Sequence, residues 1–256
     1  MSNTQHAFTI SHQLLNEWRL AGKMKTTVTQ ILDRLEKCYG KQQATWPTDP
    51  YLFLVWWHCG YPASDKACSK GWDELNRIVG VEPEKLLRAS PDQLADALRP
   101  GGMVPELRAM RLKEIAARVK DDFAGNLRGA LVGPIAKVRS ILKKFPNIAD
   151  PGADRILLFS ECAPVAAVPS NCPHVLVRLQ RGQERENYGV TYREAQQAIE
   201  AEAPATFDAR MRAYLLLKHH GQEVCKRTKP KCEECCLKTI CAYYFSGKQR
   251  GRSAKA

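Results

Sequence analysis

The chain has 256 residues, 44% of them hydrophobic, so it is long enough to bury a core in one large or two small domains. Its formal net charge of +12 favours a polyanionic partner, of which nucleic acid is the commonest. The first residues lack the basic and apolar segments of a signal peptide, and the most apolar stretch, YLFLVWW, is too short to span a bilayer, so we expect a cytoplasmic protein with no membrane contact.

Apolar residues recur at helical spacing through most of the chain. The first clear segment, VTQILDRLEKCYG, ends at Gly40, a residue type that commonly terminates helices. Ser90 is placed to cap a helix that Pro91 opens. The other helical segments are SKGWDELNRIVG, SPDQLADAL, ELRAMRLKEIAARVKDDF, PIAKVRSILKKF, ADRILLFSE, REAQQAIEAEA and ARMRAYLLLKHHG. No hairpin signal joins two strands, so the pattern predicts an all-α protein, with a disordered tail in SGKQRGRSAKA.

Five of the ten cysteines lie in the segment VCKRTKPKCEECCLKTIC. In an intracellular protein, cysteines are more often reduced, buried or metal-bound than paired as disulfides. The spacing Cys225-x6-Cys232-x2-Cys235-x5-Cys241 brings four thiols within reach of one inorganic centre. Zinc commonly takes two short cysteine pairs, whereas the longer arms here suit a wider four-iron cluster. Spacing alone leaves three interpretations open, namely an iron–sulfur cluster, zinc, or unligated buried cysteines.

The stretch KHHGQEVCKRTKPKCEECCLKTIC resembles the iron–sulfur motif of the endonuclease III family, which belongs to the helix–hairpin–helix DNA glycosylases. The resemblance implies a chiefly structural [4Fe-4S] cluster, with Cys236 outside the ligand set. The ligands it implies are Cys225, Cys232, Cys235 and Cys241.

The resemblance also implies that the six-residue loop between the first two ligands contacts DNA phosphate. A loop pinned by a cluster holds its cations where a phosphodiester backbone meets them, at little entropic cost. The basic residues of this loop are Lys226, Arg227, Lys229 and Lys231.

The resemblance extends over most of the chain, from about Ile31 to Tyr244, and places the hairpin in FPNIADPGADRILLFSE. Where the family has Leu-Pro-Gly-hydrophobic-Gly, Asn147 and Ala149 take the glycine positions with Ile148 between them, and these three are the implied DNA contacts. Glycine suits such a hairpin because its amides approach phosphate closely, sometimes at positive φ. Asn tolerates positive φ better than Ala does, so we expect Ala149 to alter or weaken the hairpin.

The two family positions that carry chemistry both read proline. Bifunctional members have a lysine after the hairpin, whose amine attacks the sugar C1′, and Pro151 stands there. Eighteen residues later they have an aspartate that stabilises positive charge on the sugar, and AVPSNCPHVLVRL places Pro169 there. Asp150 and Asp154 are the candidate catalytic replacements, although a helix cap and a helix-face charge also explain them.

The resemblance implies an all-α, two-lobed fold, with a six-helix barrel lobe that ends in the hairpin and a second lobe that holds the cluster. We assign residues 48–163 to the barrel and residues 164–256 to the cluster lobe with its basic tail. Residues 1–47 are expected to form N-terminal helices that join the cluster lobe. The groove between the lobes is expected to bind double-stranded DNA, damaged or distorted, with the protein acting as a monomer.

Function resides in the site rather than in the fold, so hypotheses from different classes remain. The first is a DNA-binding iron–sulfur protein that lacks standard glycosylase and lyase chemistry and recognises lesions or DNA structures, associated with the nucleoid if the source is bacterial. The alternative is a DNA glycosylase with atypical catalytic residues, Asp150 or Asp154. A third is a zinc-stabilised basic adaptor for RNA or protein, which the brown colour of an iron–sulfur protein would exclude.

Overall fold

Small polar residues, prolines and a glycine set the helix boundaries. Thr27 accepts a hydrogen bond from the Gln30 N–H, and the Gln30 side chain accepts one from the Thr27 N–H in return. Ser90 accepts a backbone hydrogen bond at 3.1 Å with Pro91 in the first turn, which confirms the predicted cap. Gly40 ends its helix at φ +73°, a conformation that strains residues with a Cβ.

The computed structural model describes residues 26–181 and 184–253. In these ranges it has thirteen α-helices, three short 3₁₀ helices and no β-strand, so the predicted all-α class is confirmed. The helices as far as the hairpin are α1 Val28–Tyr39, α2 Pro50–His58, α3 Asp65–Ile78, α4 Pro83–Arg88, α5 Pro91–Leu98, α6 Pro105–Phe123, α7 Leu127–Ala130 and α8 Ile135–Leu142. The helices after it are α9 Asp150–Phe159, α10 His174–Arg181, α11 Tyr188–Glu202, α12 Phe207–Glu223 and α13 Ala242–Ser253.

Helices α2 to α9 share one hydrophobic core, which we call the first core. Its centre is α2, which is buried almost all round, including Phe53 and Trp56. Trp46 packs edge-on against Phe159 with their ring centroids 4.9 Å apart. The guanidinium of Arg155, on α9, lies over the Trp46 ring at 4.1 Å. Long-range aromatic packing therefore brings α9, the helix after the hairpin, against α2.

A second core joins α1 to helices α10, α11 and α12. Residues of the connecting segment after α9 contribute to the two cores in turn, with Ala163 and Val165 in the first and Ala166 and Val168 in the second. Leu237, from the cysteine-rich segment, is also buried in the second core. The chain thus crosses from one core to the other just before Pro169, and the protein is two-lobed.

The C-terminal tail differs from the prediction of disorder, because α13 extends to Ser253. Tyr243 and Tyr244 pack against the second core and so fix the first turn of this helix. The Lys, Gln and Arg residues that follow are good helix formers, and a helix propagates more easily than it nucleates. Residues 1–25 of the predicted N-terminal segment and residues 254–256 lie outside the described residues. None of the described helices is long and apolar enough to cross a membrane.

Candidate functional site

The predicted hairpin joins α8 to α9 through residues 143–149. Asn147 has φ +56°, in the left-handed region that Asn tolerates. Ala149 has φ −102° and ψ −178°, an ordinary extended conformation. Ala149 therefore does not need positive φ here, and the expectation that it alters or weakens the hairpin stays a prediction. Phosphate contact by Asn147, Ile148 and Ala149 stays a prediction.

The hairpin loop is anchored to the first core by a buried histidine. His58, at the end of α2, has Nε2 2.9 Å from the Pro146 carbonyl oxygen and Nδ1 2.8 Å from the Leu54 carbonyl oxygen. Burial lowers the pKa of His58, and the two carbonyls oppose that shift. In the described part of the chain, the backbone N–H groups of Asn147 and Ala149 have no hydrogen-bond acceptor. Two amides of the hairpin are therefore available to a ligand.

The helix after the hairpin begins one residue earlier than expected. Ala149 occupies the N-cap position and provides no side-chain cap. Asp150, which we expected to cap the helix, instead lies in its first turn and pairs with Lys143 at 2.8 Å, with both side chains about half exposed. Pro151 follows in the same turn, where a missing N–H costs no hydrogen bond.

Asp154 is buried and hydrogen-bonded on both oxygens. Oδ1 accepts from Arg139 at 2.5 Å, and Oδ2 accepts from the Tyr192 hydroxyl at 3.0 Å and from the Gln196 amide at 2.9 Å. Burial raises the pKa of Asp154, and these three donors act against that rise. Since Arg139 lies on α8 and the other two donors lie on α11, the carboxylate ties the hairpin region to the second core.

Pro169 lines a pocket together with residues from both lobes, which we call the Pro169 pocket. Its lining includes Trp57, Tyr61, Asp65, Arg155, Pro169 and Lys218. Asp65 Oδ2 accepts from Arg155 at 2.9 Å and from Lys218 Nζ at 2.5 Å. Burial raises the pKa of Asp65, but the two cations outweigh that effect and hold it below its usual range. One ionised carboxylate is thus shared by two cations, and the cluster has an excess positive charge.

Four of the C-terminal cysteines line one pocket, which we call the cysteine pocket. They are Cys225, Cys232, Cys235 and Cys241. The fifth, Cys236, is not part of that lining, and its sulfur lies 3.9 Å from the Tyr39 hydroxyl. The structure therefore separates Cys236 from the other four.

The surroundings of the cysteine pocket suit thiolate ligands of a cluster. The Leu237 N–H donates to Cys235 Sγ at 3.4 Å, and Arg178 donates to Cys225 Sγ at 3.9 Å. Such donors toward sulfur are a usual means of tuning metal–thiolate centres. Among residues 26–181 and 184–253, no group of three or more His, Cys, Asp or Glu side chains is arranged to hold a metal ion. The structure therefore shows that four cysteine side chains line one pocket. That they bind an iron–sulfur cluster stays a prediction.

The basic loop, residues 226–231, presents all four of its cationic side chains to solvent. Its backbone is held by α10, where Arg178 donates to the carbonyls of Lys226 and Arg227, each at 2.9 Å. His174 Nε2 lies 2.7 Å from the Cys225 carbonyl oxygen. The protein therefore fixes the shape of the loop from its own side chains, a supporting role of Arg178 and His174 that was not predicted from the sequence.

Sequence reasoning also missed Lys218. It lies on α12, at the end of the run YLLLK and seven residues before Cys225. The available signal was a single lysine on an otherwise apolar helix face, which is an unusual place for an unpaired charge. Its partner Asp65 is 153 residues away in sequence, so the pair becomes visible only in the fold.

No protein-family model matches the chain. The chain is similar to endonuclease III from Thermotoga maritima, with 24% identity over 205 residues, which cover 80% of this chain and 87% of the relative. It is also similar to the thymine-DNA glycosylase from Aeropyrum pernix, with 23% identity over 210 residues, which cover 81% of this chain and 90% of the relative.

The fold matches solved structures of the same kind. A non-covalent endonuclease III–DNA complex gives a TM-score of 0.68 at 20% identity, covering 88% of this chain and 99% of that chain. A thermostable thymine-DNA glycosylase gives a TM-score of 0.67 at 20% identity, covering 86% of this chain and 97% of that chain. The protein thus has the two-lobed fold of the helix–hairpin–helix DNA glycosylases. Its sequence and its fold are both similar to those of endonuclease III, which confirms the resemblance stated from the sequence, while the cluster and the two proline replacements stay predictions.

Proposed function

We propose that this protein binds damaged or distorted double-stranded DNA and lacks the standard glycosylase and lyase chemistry of its fold family. One observation carries the proposal, namely that Pro151 and Pro169 stand where the resemblance places the family's lysine and aspartate. Breaking an N-glycosidic bond builds positive charge on the sugar, which a nearby carboxylate normally stabilises. Proline supplies neither that carboxylate nor a nucleophilic amine.

The two candidate replacements are engaged elsewhere. Asp154 is buried and accepts from three donors, so neither of its oxygens faces a substrate. Asp150 is exposed and pairs with Lys143 in the hairpin loop, as expected of a charge in the first turn of a helix. We therefore prefer a binding protein to a glycosylase that uses Asp150 or Asp154.

The positive charge of the Pro169 pocket also favours a binding protein over a glycosylase. Arg155 and Lys218 both approach Asp65, so the carboxylate is more than neutralised. A sugar that develops positive charge would be repelled by the excess cation, because like charges interact strongly where water is excluded. The pocket favours a ligand that is neutral or electron-rich.

Two surfaces support DNA binding. The hairpin offers the free N–H groups of Asn147 and Ala149, and backbone amides of this kind accept phosphate oxygens. The basic loop offers exposed cations that replace the counterions of a phosphate backbone. A solved structure with this fold, the endonuclease III–DNA complex, contains DNA, and we extend that partner to this chain as a proposal.

The proposed cofactor is one [4Fe-4S] cluster with four cysteine ligands. The ligands would be Cys225, Cys232, Cys235 and Cys241. Support comes from the pocket that these four share and that Cys236 does not line. When bound, the cluster would link the thiolates and add to the stability of this lobe. We further propose a monomer in the cytoplasm, associated with the nucleoid if the source is bacterial, since the net charge of +12 suits a nucleic-acid partner.

The proposal is tested by equilibrium binding to abasic, mismatched and intact duplexes of one length, followed by fluorescence anisotropy at several salt concentrations. We expect tighter binding to the abasic and mismatched duplexes. Replacing Lys226, Arg227 and Lys229 with Gln should weaken binding to all duplexes alike and flatten the salt dependence by up to about 0.9 log units per lost contact.

A matched control replaces three exposed lysines on other helices, Lys37, Lys85 and Lys120. This variant loses the same charge but should keep most of the salt dependence. Equal affinity for damaged and intact duplexes would contradict lesion recognition, and an equal change of slope in both variants would mean that the basic loop makes no specific contact.

A further inference from the structure

Cys38 and Cys236 are two neighbouring thiols from distant parts of the sequence. Cys38 is exposed and lies one residue before the end of α1, and Cys236 is partly buried in the cysteine-rich segment. The two side chains are within hydrogen-bond reach of each other. Of the described residues that line the cysteine pocket, neither is one, so they form a pair separate from the four cysteines there.

Two contacts hold α1 against the cysteine-rich segment on either side of this pair. Arg34 donates to the Thr239 hydroxyl at 3.5 Å, and the Cys236 thiol donates to the Tyr39 hydroxyl at 3.9 Å. Cys38 follows Arg34 by four residues, about one turn of helix, so the two side chains lie on the same face of α1. The face of α1 that meets the segment therefore carries Cys38.

The residue beside each cysteine is anchored in the second lobe. The Tyr39 hydroxyl lies 2.7 Å from Nδ1 of the buried His220, on α12. Leu237, which follows Cys236, is fully buried in the second core. The folded protein thus keeps the two thiols close to each other from both sides.

We propose that Cys38 and Cys236 form a reversible disulfide when the protein meets a low-molecular-weight disulfide such as oxidised glutathione. The inference goes beyond the proposed function, since it requires neither bound DNA nor a bound cluster. It assigns the two thiols as a modification site that ties α1 to the cysteine-rich segment without using the four cysteines of the cysteine pocket.

The chemistry is two successive thiol–disulfide exchanges. The exposed Cys38 thiol gives its proton to solvent, and the thiolate attacks one sulfur of oxidised glutathione. The S–S bond of glutathione breaks, one glutathione leaves as a thiolate that takes up a proton, and a mixed disulfide remains on Cys38. The Cys236 thiolate, whose proton also goes to solvent, then attacks Cys38 Sγ and displaces the second glutathione. Two protein thiols are oxidised and one glutathione disulfide is reduced to two thiols.

Proximity favours the second exchange. Burial and the adjacent Cys38 raise the pKa of the Cys236 thiol, which slows its attack. The contact between the two side chains offsets this effect, because groups held together react at a high effective concentration. Cys38 is therefore the thiol that captures the oxidant, and Cys236 is the thiol that completes the disulfide.

The disulfide would close a loop that contains most of the chain, and in the chain-entropy model a long closed loop restricts the unfolded state more than a short one. It would also cross-link a segment whose only regular elements among the described residues are two short 3₁₀ turns. We expect the oxidised protein to melt at least about 4 °C above the reduced protein, and we expect added dithiothreitol to reverse the change.

The test is oxidation of the reduced full-length protein by oxidised glutathione, followed by alkylation of free thiols and peptide mass mapping without reduction. We expect one main product, in which the peptides that contain Cys38 and Cys236 are linked. Cys38→Ser should lower the yield of intramolecular disulfide by at least about tenfold. In Cys236→Ser the glutathione adduct should remain on Cys38, because no second thiol displaces it.

Cys162→Ser serves as the matched control, because Cys162 is a partly buried thiol that contacts Ser160 in the first lobe, and this variant should oxidise like the wild type. Mapping on the unmodified protein needs no variant to fold. No oxidation, a glutathione adduct alone, or a disulfide between any other two cysteines would each overturn the inference. DNA binding is measured on the reduced protein, so these outcomes leave the proposed function standing.

Discussion

Pro151 and Pro169 stand where the resemblance places two reactive groups, and the local backbone at both positions is regular. Pro151 lies in the first turn of α9, where no N–H is required. Pro169 precedes α10, and its carbonyl accepts from the Cys172 N–H at 2.8 Å in a closed turn. Both positions therefore accept proline at little structural cost. The proposed loss of chemistry is compatible with retention of the fold at the level of single residues.

Substitution of Asp154 tests whether this carboxylate near the hairpin stabilises the fold or takes part in catalysis. Asp154→Asn should lower the free energy of unfolding by about 2–4 kcal/mol, because it breaks a largely buried pair with Arg139. Urea denaturation measures the change. The control is Asp150→Asn, whose pair with Lys143 is exposed and should contribute at most about 0.5 kcal/mol. If Asp154→Asn is as stable as the wild type, the Asp154 carboxylate does not stabilise the fold.

Asp65 gives a prediction about pH. Its pKa in the folded protein lies below the value of about 3.9 for an unfolded aspartate, because Arg155 and Lys218 outweigh the effect of burial. A lowered pKa means that the ionised group stabilises the fold at neutral pH and that this contribution disappears as the pH falls through the folded-state pKa.

We therefore expect Asp65→Asn to destabilise the protein most at pH 6–7, by about 1–3 kcal/mol, with the difference shrinking below about pH 4. Thermal unfolding of both proteins across this pH range provides the measurement. A difference that grows as the medium becomes more acidic would show that the sign of the Asp65 contribution is wrong.

At the scale of elements, the cysteine-rich segment after α12 contains little regular secondary structure. Its two 3₁₀ turns, at Cys232–Glu234 and Lys238–Ile240, are too short to be stable alone. Leu237 anchors them in the second core, and Arg178 holds the adjoining loop. An inorganic cross-link would supply what these short elements lack.

Cysteine substitutions separate the proposed ligands from the extra thiol. Cys232→Ala should abolish bound iron and the absorbance near about 400 nm, and should lower the melting temperature. Cys236→Ala should keep all three, because Cys236 contacts Tyr39 rather than lining the cysteine pocket. Iron content and absorbance are measured on both purified proteins. Full iron content in Cys232→Ala, or its loss in Cys236→Ala, would contradict the ligand assignment.

At the scale of the whole molecule, local sequence signals predicted the helices and their ends. Pairs of side chains that are far apart in the sequence were not predicted. The cap at Ser90 and the end of α1 at Gly40 follow from neighbouring residues, and both are confirmed. Asp154 lies 15 to 42 residues from its three partners and Asp65 lies 153 residues from Lys218, so periodicity carries no signal for these pairs. The helical tail was missed because its composition resembles that of disordered segments.

The two-lobed architecture is compatible with the proposed separation of DNA binding from glycosylase chemistry. The hairpin and the basic loop present possible phosphate contacts from different lobes, and neither depends on the residues at the catalytic positions. The Pro169 pocket lies where residues of both lobes meet, and its charge opposes a cationic transition state. On the proposed function, a fold of this kind would retain recognition of damaged DNA without the usual glycosylase groups.

The most direct test of this account is base release measured beside binding on the same set of lesion-containing duplexes. Released base is quantified by mass spectrometry, and binding is followed by anisotropy, with an active endonuclease III as the positive control. The account predicts that damaged duplexes are bound in preference to intact ones while base release stays at background, because the missing charge stabilisation costs several kcal/mol at the transition state. Robust base release from any duplex that the protein binds would contradict the central claim.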